Sequence, residues 1–317
     1  MACLTSRALC VGVVALAALT AGCGDDDGAS VRDLGAGDGS DSASSSGSSG
    51  SSASASGIAA SDLASETDDE LIEEAVMGYR AYVLEQIEIM RSDTAEFAGA
   101  VRSGDIETAK ALYPVARRSW ERIEPIAGLI EDVDGAVDAR EDDVGSPGDP
   151  AFTGWHRLEY HLWVLDDVSE AGPFADRLEA DLAMLAESAE TLELPPGVLT
   201  VGAQELIEEV AAPDGKLSGE EDRYSGTDLY DFQANVEGAE ALVELLGPAL
   251  EREDPSLLAT IDSQFDELDA QLAALGSFEN GFPRYDEVTE EQRTEFAAIL
   301  GELAESLSLL NGTLGLG

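Results

Sequence analysis

The sequence predicts an all-α fold, two packed helical bundles forming an elongated double four-helix bundle. From Glu66 to Gly317 apolar residues recur at steps of three and four, the mark of amphipathic helices packed on one another. The breaks between these runs carry proline and glycine, and no segment alternates apolar and polar residues as a half-buried strand would. Hydrophobic residues make up 44% of 317, far too many for a disordered acidic tail and enough to fill a sizeable core.

Residues 1–22 form no part of that fold. Arg7 precedes an apolar run from Ala8 to Leu19, followed by the small residues Thr20, Ala21 and Gly22 directly before Cys23. The run is too short to span a bilayer comfortably, and the pattern reads as a secretory signal peptide. It resembles a bacterial lipobox, although Thr20 stands where leucine is commonest. That resemblance implies a lipidated Cys23 and a protein anchored on the outer face of the cytoplasmic membrane. Residues 23–65 are dominated by Ser, Gly, Ala and Asp and read as a flexible tether. A random coil of this composition spans roughly 35 Å, enough to hold a folded body off a membrane.

The folded body is residues 66–317. Ile72, Val76, Tyr79, Val83, Ile87 and Met90 begin a long helix, and Ile106 to Ile130 predicts a second, kinked at Pro114. A helix around Trp155 to Leu165 follows, then one on Leu178, Leu182, Leu185, Ala189 and Leu192. Three more runs are clean: Leu229 to Leu246, Leu258 to Leu275, and Phe296 to Leu314. Breaks are expected at Ser146–Pro150, Pro195–Pro196, Pro213–Gly219, Pro255 and Gly281–Pro283. About seven or eight helices exceed one four-helix bundle, hence two.

Charge and cysteine usage narrow the chemistry. Seventeen Lys and Arg against 66 Asp and Glu give a net charge of −49, which excludes nucleic acid as a partner. The acid excess reads as a solvated surface suited to high ionic strength, or as a field that concentrates cations. All three cysteines, Cys3, Cys10 and Cys23, precede the body. Disulfides, thiolate metal sites and a cysteine nucleophile are therefore excluded there, and any metal must use oxygen and imidazole ligands.

Both histidines of the chain lie in Phe152-Thr-Gly-Trp-His-Arg-Leu-Glu-Tyr-His-Leu-Trp163. Five residues of α-helix turn about 140°, so His156 and His161 point apart. His156 and Glu159, three apart, share a face and place one nitrogen beside one carboxylate. The pair reads equally as a structural hydrogen bond and as a ligand pair. A second helix carries Arg117, Trp120, Glu121, Glu124 and Gly128 on one face, where Arg117 and Glu121 fit an i, i+4 pair on a solvated surface. Gly219-Glu-Glu-Asp-Arg-Tyr224 sets three acids before a helix, with Asp228 as its expected cap. There is no His-Glu-x-x-His, no Gly-x-x-x-x-Gly-Lys and no Gly-x-Ser-x-Gly, so no catalytic residue is assigned and no enzymatic role is expected.

Several ordered motifs carry a family resemblance: Arg117-Arg-Ser-Trp-Glu-Arg-Ile-Glu-Pro125, Asp138-Ala-Arg-Glu-Asp142, Phe152 to Glu159, Gly219-Glu-Glu-Asp-Arg-Tyr-Ser225 and Asp231-Phe-Gln-Ala-Asn-Val-Glu-Gly238. Together they resemble the imelysin-like EfeO/EfeM family over about Glu66 to Gly317. The resemblance implies an all-helical fold and a role as the metal-binding component of an EfeUOB-type iron uptake system. In that role the protein captures iron, Fe2+ or Fe3+, or a related divalent cation. Implied partners are a membrane iron permease and a peroxidase-like component. The family's His-x-x-Glu maps onto His156 and Glu159, with Glu121, Glu124 and Asp222 as further oxygen ligands inside matching motifs. A tether replaces the cupredoxin domain of long forms, as in the short EfeM-like form. The competing readings are an envelope adhesion or polysaccharide-binding lipoprotein and an imelysin-type metallopeptidase.

Overall fold

The structure is a computed structural model that describes residue 63 and residues 66–212 and 216–317. The signal peptide, Cys23 and the tether lie outside the described residues except for Leu63, which is buried. Among the described residues no strand forms, and a single bridge joins Ser277 to Gly281.

Helix α1 (Glu70–Ser103) begins where the Asp69 carboxylate accepts the Leu71 N–H, and stops at Gly104, which adopts the left-handed conformation. Helix α2 (Ile106–Ile123) passes through Pro114. The expected run to Ile130 is interrupted ahead of Pro125, where the chain tightens into a 3-10 helix, Glu124–Leu129. Pro125 has no N–H for the Glu121 carbonyl, which accepts the Asn235 amide at 3.0 Å instead, so the α-helical ladder stops there. Short helices α3 (Glu131–Val137) and α4 (Glu141–Val144) lead to α5 (Gly154–Glu159). The helix expected around Trp155–Leu165 is α-helical only to Glu159 and continues as a π-helix, Tyr160–Leu165, ending at Asp166 with φ of 48°.

Then come α6 (Gly172–Ala189), α7 (Pro196–Ala211), a 3-10 turn Lys216–Ser218, α8 (Asp228–Glu253), α9 (Pro255–Leu275), α10 (Glu290–Leu307) and α11 (Leu310–Leu314). Prolines 196 and 255 sit in the first turns of α7 and α9, where the missing N–H costs nothing.

Helix α1 packs on α2, α6 and α8, while α7, α8, α9 and α10 close a ring of four. The double bundle is thus built around a shared helix, α8. Its buried positions explain why: Leu229, Phe232, Val236, Ala239, Val243 and Leu246 form the expected stripe, and Ala234, Leu242, Ala249 and Leu250 widen it. A helix apolar around most of its girth must be covered on both sides. Gly238 lets α8 approach α2 closely, because a Cβ there would stand 2.2 Å from the Arg122 carbonyl oxygen.

Candidate metal centre

Polar side chains gather beneath the N-terminal end of α8. Helix α5 supplies His156 and Glu159, α2 supplies Tyr113, Arg117 and Glu121, Asp138 follows α3, and the segment before α8 supplies Glu221 and Asp222. The seat of α5 depends on Gly154, whose φ is 75° and whose added Cβ would lie 1.9 Å from the Val137 carbonyl oxygen. Only glycine lets α5 press against the end of α3, which brings His156 within reach of Asp138. The Thr153 hydroxyl donates to the Ala136 carbonyl at 2.7 Å and ties the same two segments.

His156 is buried and presents its two ring nitrogens to different carboxylates. Nδ1 lies 3.3 Å from Glu159 Oε2 and 3.8 Å from Asp222 Oδ1. Nε2 lies 3.4 Å from Asp138 Oδ1 and 3.5 Å from Glu221 Oε1. Two sets of three donors, each compact enough to surround one ion, therefore share this imidazole: His156, Glu159 and Asp222, and His156, Asp138 and Glu221. Glu159 is held from behind, its Oε1 accepting the N–H groups of Tyr224 and Ser225 at 3.0 and 2.7 Å and the Ser225 hydroxyl at 2.8 Å. That leaves Oε2 facing His156. Asp222 accepts the Tyr113 hydroxyl at 2.8 Å and the Thr227 hydroxyl on its other oxygen.

Arg117 lies within the same cluster, wholly buried. Its guanidinium bonds Glu121, Asp138, Glu221 at 3.0 Å and Asp231 at 3.3 Å, and its Nη1 stands 3.3 Å from His156 Nε2. The solvated Arg117–Glu121 pair expected from the spacing is corrected here: both side chains are sealed from water, because α8 and the segment preceding it cover that face of α2. Lys216, also buried, bridges Glu121 at 2.6 Å and Glu124 at 2.8 Å. The Asn235 amide donates to the same two carboxylates at 3.0 and 2.6 Å. Asp228 is likewise not the expected cap: Thr227 occupies that position, and the buried Asp228 carboxylate accepts the Asp222 N–H at 3.3 Å.

Ionisation follows from this crowding. Burial and the Arg117 charge press the His156 imidazole down, but hydrogen bonds to Asp138, Glu159 and Glu221 outweigh them and hold it well above its ordinary range. Burial pushes the Asp138 and Glu221 carboxyls up, yet both end well below the ordinary range: Asp138 through Arg117 and His156, Glu221 through Lys216 and His156. For Glu159 burial wins and the carboxyl is raised despite His156. Burial also raises Asp231 well above its ordinary value, against the pull of Arg117, and takes Asp228 to about 8 with help from Asp222. One oxygen of each has no hydrogen-bond partner.

A cavity of about 620 Å3 opens on the Asp138 and Glu221 side of this centre, with Glu124, Asp134, Arg140 and Glu209 also in its wall. Arg140 pairs with Glu221 at 3.2 Å. Burial, with Asp138 and Glu209 nearby, pushes Asp134 up to about 7.

Of the residues singled out from the sequence, the structure brings His156, Glu159 and Asp222 together, while Glu121 and Glu124 gather around Lys216 on the far side of Arg117. His161 turns away, its Nδ1 3.2 Å from the Asp167 carbonyl oxygen and its ring against Phe174. Sequence reading missed Tyr113, Asp138, Glu221 and Asp231 as members of the cluster. Asp138, Glu221 and Asp231 lie inside the family motifs, and Tyr113 stands one helical turn before Arg117. Lys216 is one of only two lysines, a rarity that was the available signal for a buried partner.

Fold and site together define an all-α bundle protein with a buried imidazole–carboxylate centre. The chain belongs to the imelysin family, whose profile (Peptidase_M75: Imelysin) matches residues 75–310. It is 46% identical over 243 residues to proteins named "Iron uptake system component EfeO" from Escherichia coli strain UTI89 and from Shigella flexneri, the match covering 76% of this chain. The matched region spans 64% of the length of those relatives.

Proposed function

We propose that this chain captures an iron cation outside the cytoplasm for an iron uptake system. The convergence of the buried His156 Nδ1, Glu159 Oε2 and Asp222 Oδ1 carries the reading. One borderline nitrogen and two hard oxygens suit iron and its neighbours among first-row cations. The name of the EfeO relatives supports the cargo, and the sequence before the body supports the location: a lipid on Cys23 and a tether to the outer face of the cytoplasmic membrane.

Capture requires the imidazole to give up its proton, and release follows when the carboxylates exchange the cation or the imidazole regains that proton. Glu121 and Glu124, gathered around Lys216, supply oxygen donors and negative charge behind the centre. The acidic cavity is the route inward, and the cation passes on to a membrane permease working with a peroxidase-like component. Capture and delivery move only protons and metal ligands and transform no substrate, so no catalytic residue is assigned.

Titration calorimetry of the metal-stripped chain with Fe2+ at high salt, beside His156→Ala/Glu159→Ala, tests this. A tight site of one ion per chain, lost in the double variant while helical circular dichroism persists, is the expected result. Absence of any saturable site in the wild type would refute the proposal.

A further inference from the structure

We infer that Tyr113 is a fourth donor of this centre and fits it to trivalent iron, an inference that rests on the iron-capture reading. Tyr113 is wholly buried, with its hydroxyl 2.8 Å from Asp222 Oδ1 and 3.3 Å from His156 Nδ1. The same Nδ1 faces Glu159 Oε2 at 3.3 Å. The phenol oxygen thus borders the space that the imidazole nitrogen and the two carboxylates enclose. Its ring is fixed edge-on between Phe97 and Trp163, with centroids at 5.9 and 5.4 Å. Trp163 belongs to the π-helix that continues α5, so one segment both supplies His156 and Glu159 and positions the tyrosine.

The hydroxyl donates to Asp222 and turns a lone pair towards His156 Nδ1, so the phenol oxygen faces the same space as the three other donors. The chain's other phenols near this region serve elsewhere: Tyr224 donates to Glu141, and the Tyr285 hydroxyl donates to the Leu217 carbonyl at 2.5 Å.

Charge decides what the fourth donor does. A buried site tolerates little net charge. With Arg117, whose Nε lies 3.6 Å from Asp222 Oδ1, balanced by Glu121, Asp138, Glu221 and Asp231, the Glu159 and Asp222 charges match a divalent ion while Tyr113 remains a phenol. A trivalent ion needs one more negative donor, and phenolate is a hard oxygen suited to it. When Fe3+ binds, the Tyr113 O–H bond breaks as the O–Fe bond forms, the proton leaves to solvent, and the iron keeps its oxidation state.

The test is a titration of the metal-stripped full chain with Fe3+ supplied as its citrate complex, with Fe2+ under anaerobic conditions and colourless Ga3+ for comparison. A visible phenolate-to-iron charge-transfer band that saturates at one Fe3+ per chain is expected, absent with Ga3+ and Fe2+. Fe3+ should also release one proton more than Fe2+. Tyr113→Phe should lose the band and at least tenfold of its Fe3+ affinity, with little change for Fe2+, whereas Tyr224→Phe should keep both. Resonance Raman of the wild-type band reads tyrosinate directly, even if Tyr113→Phe folds poorly. Saturable Fe3+ binding without colour, or colour that survives in Tyr113→Phe, would overturn the inference and leave iron capture standing. No saturable site for either oxidation state would overturn both.

Discussion

Arg117 is a guanidinium with no access to water, set among Glu121, Asp138, Glu221 and Asp231. Taking it out of solvent costs several kcal/mol, which the surrounding carboxylates and their hydrogen bonds offset. Removing one partner of such a network strands the others, so the arginine holds together a set of acids that would otherwise repel. Arg117→Met keeps the stem and deletes the charge. Urea unfolding should show a loss of about 3–5 kcal/mol, since the remaining carboxylates must then take up protons or water. A loss below about 1 kcal/mol would mean that the carboxylates rearrange freely, and that the guanidinium does not organise the centre.

At the scale of elements, packing decides which helical faces meet water and which meet each other. The chain places Glu237, Glu240 and Glu244 on α8 near Asp266 and Asp269 on α9, and burial together with these neighbours pushes the Glu240 carboxyl from its ordinary 4.5 to about 7. Because the folded state holds this proton more tightly than the unfolded chain, folding takes up a proton between those two values. The stability contributed by the protonated group is present below about 4.5 and is lost as pH rises towards about 7. Glu240→Gln should therefore raise stability near neutrality by about 0.5 kcal/mol, a figure reduced for the half-exposure of the group. It should also flatten the pH profile between the two limits. Thermal unfolding of both proteins from pH 4 to 8 checks this, and parallel profiles would show that the ridge carries no such strain.

For the molecule as a whole, the charge of −49 governs the energetics outside the core. Self-repulsion on that scale weakens the compact state, and salt relieves it by shortening the screening length from about 30 Å at 0.01 M to about 3 Å at 1 M. The melting temperature should rise by about 5 °C or more over that range, followed by circular dichroism at the helical bands. A melting point independent of salt would mean that the acids are spaced widely enough to ignore one another.

The helical class, the breaks at Ser146–Pro150, Pro195–Pro196, Pro255 and Gly281–Pro283 and most of the core were legible along the chain, because amphipathic periodicity and proline placement are local properties; helix α7, the break ahead of Pro125 and the one between α10 and α11 were not. Phe296, Leu300, Leu303, Leu307 and Leu310, spaced as the core face of a helix, are all buried. His156 and Glu159 were legible for the same reason, being three apart on one helix. Asp222 could be singled out only within its acidic run, and nothing in that run distinguished it from Glu221, which faces the other imidazole nitrogen, or from Glu220, which pairs with Arg223. The π-helix after Glu159 and the burial of the Arg117–Glu121 pair were not legible at all. Both depend on what packs against them: α2 and α6 around the α5 segment, α8 over α2.

The sequence by itself determined an acidic, cysteine-free, helical body from Glu66 onward, together with one imidazole–carboxylate pair. Only the tertiary structure decided that α8 is shared by two bundles, and that Tyr113, Asp138, Glu221 and Asp222 meet at His156. Those residues come from segments as far as 109 positions apart, as in the Tyr113–Asp222 bond. Whether an acid on a helix faces water or a buried cation depends on which neighbouring helix covers it, and local periodicity holds no record of that choice.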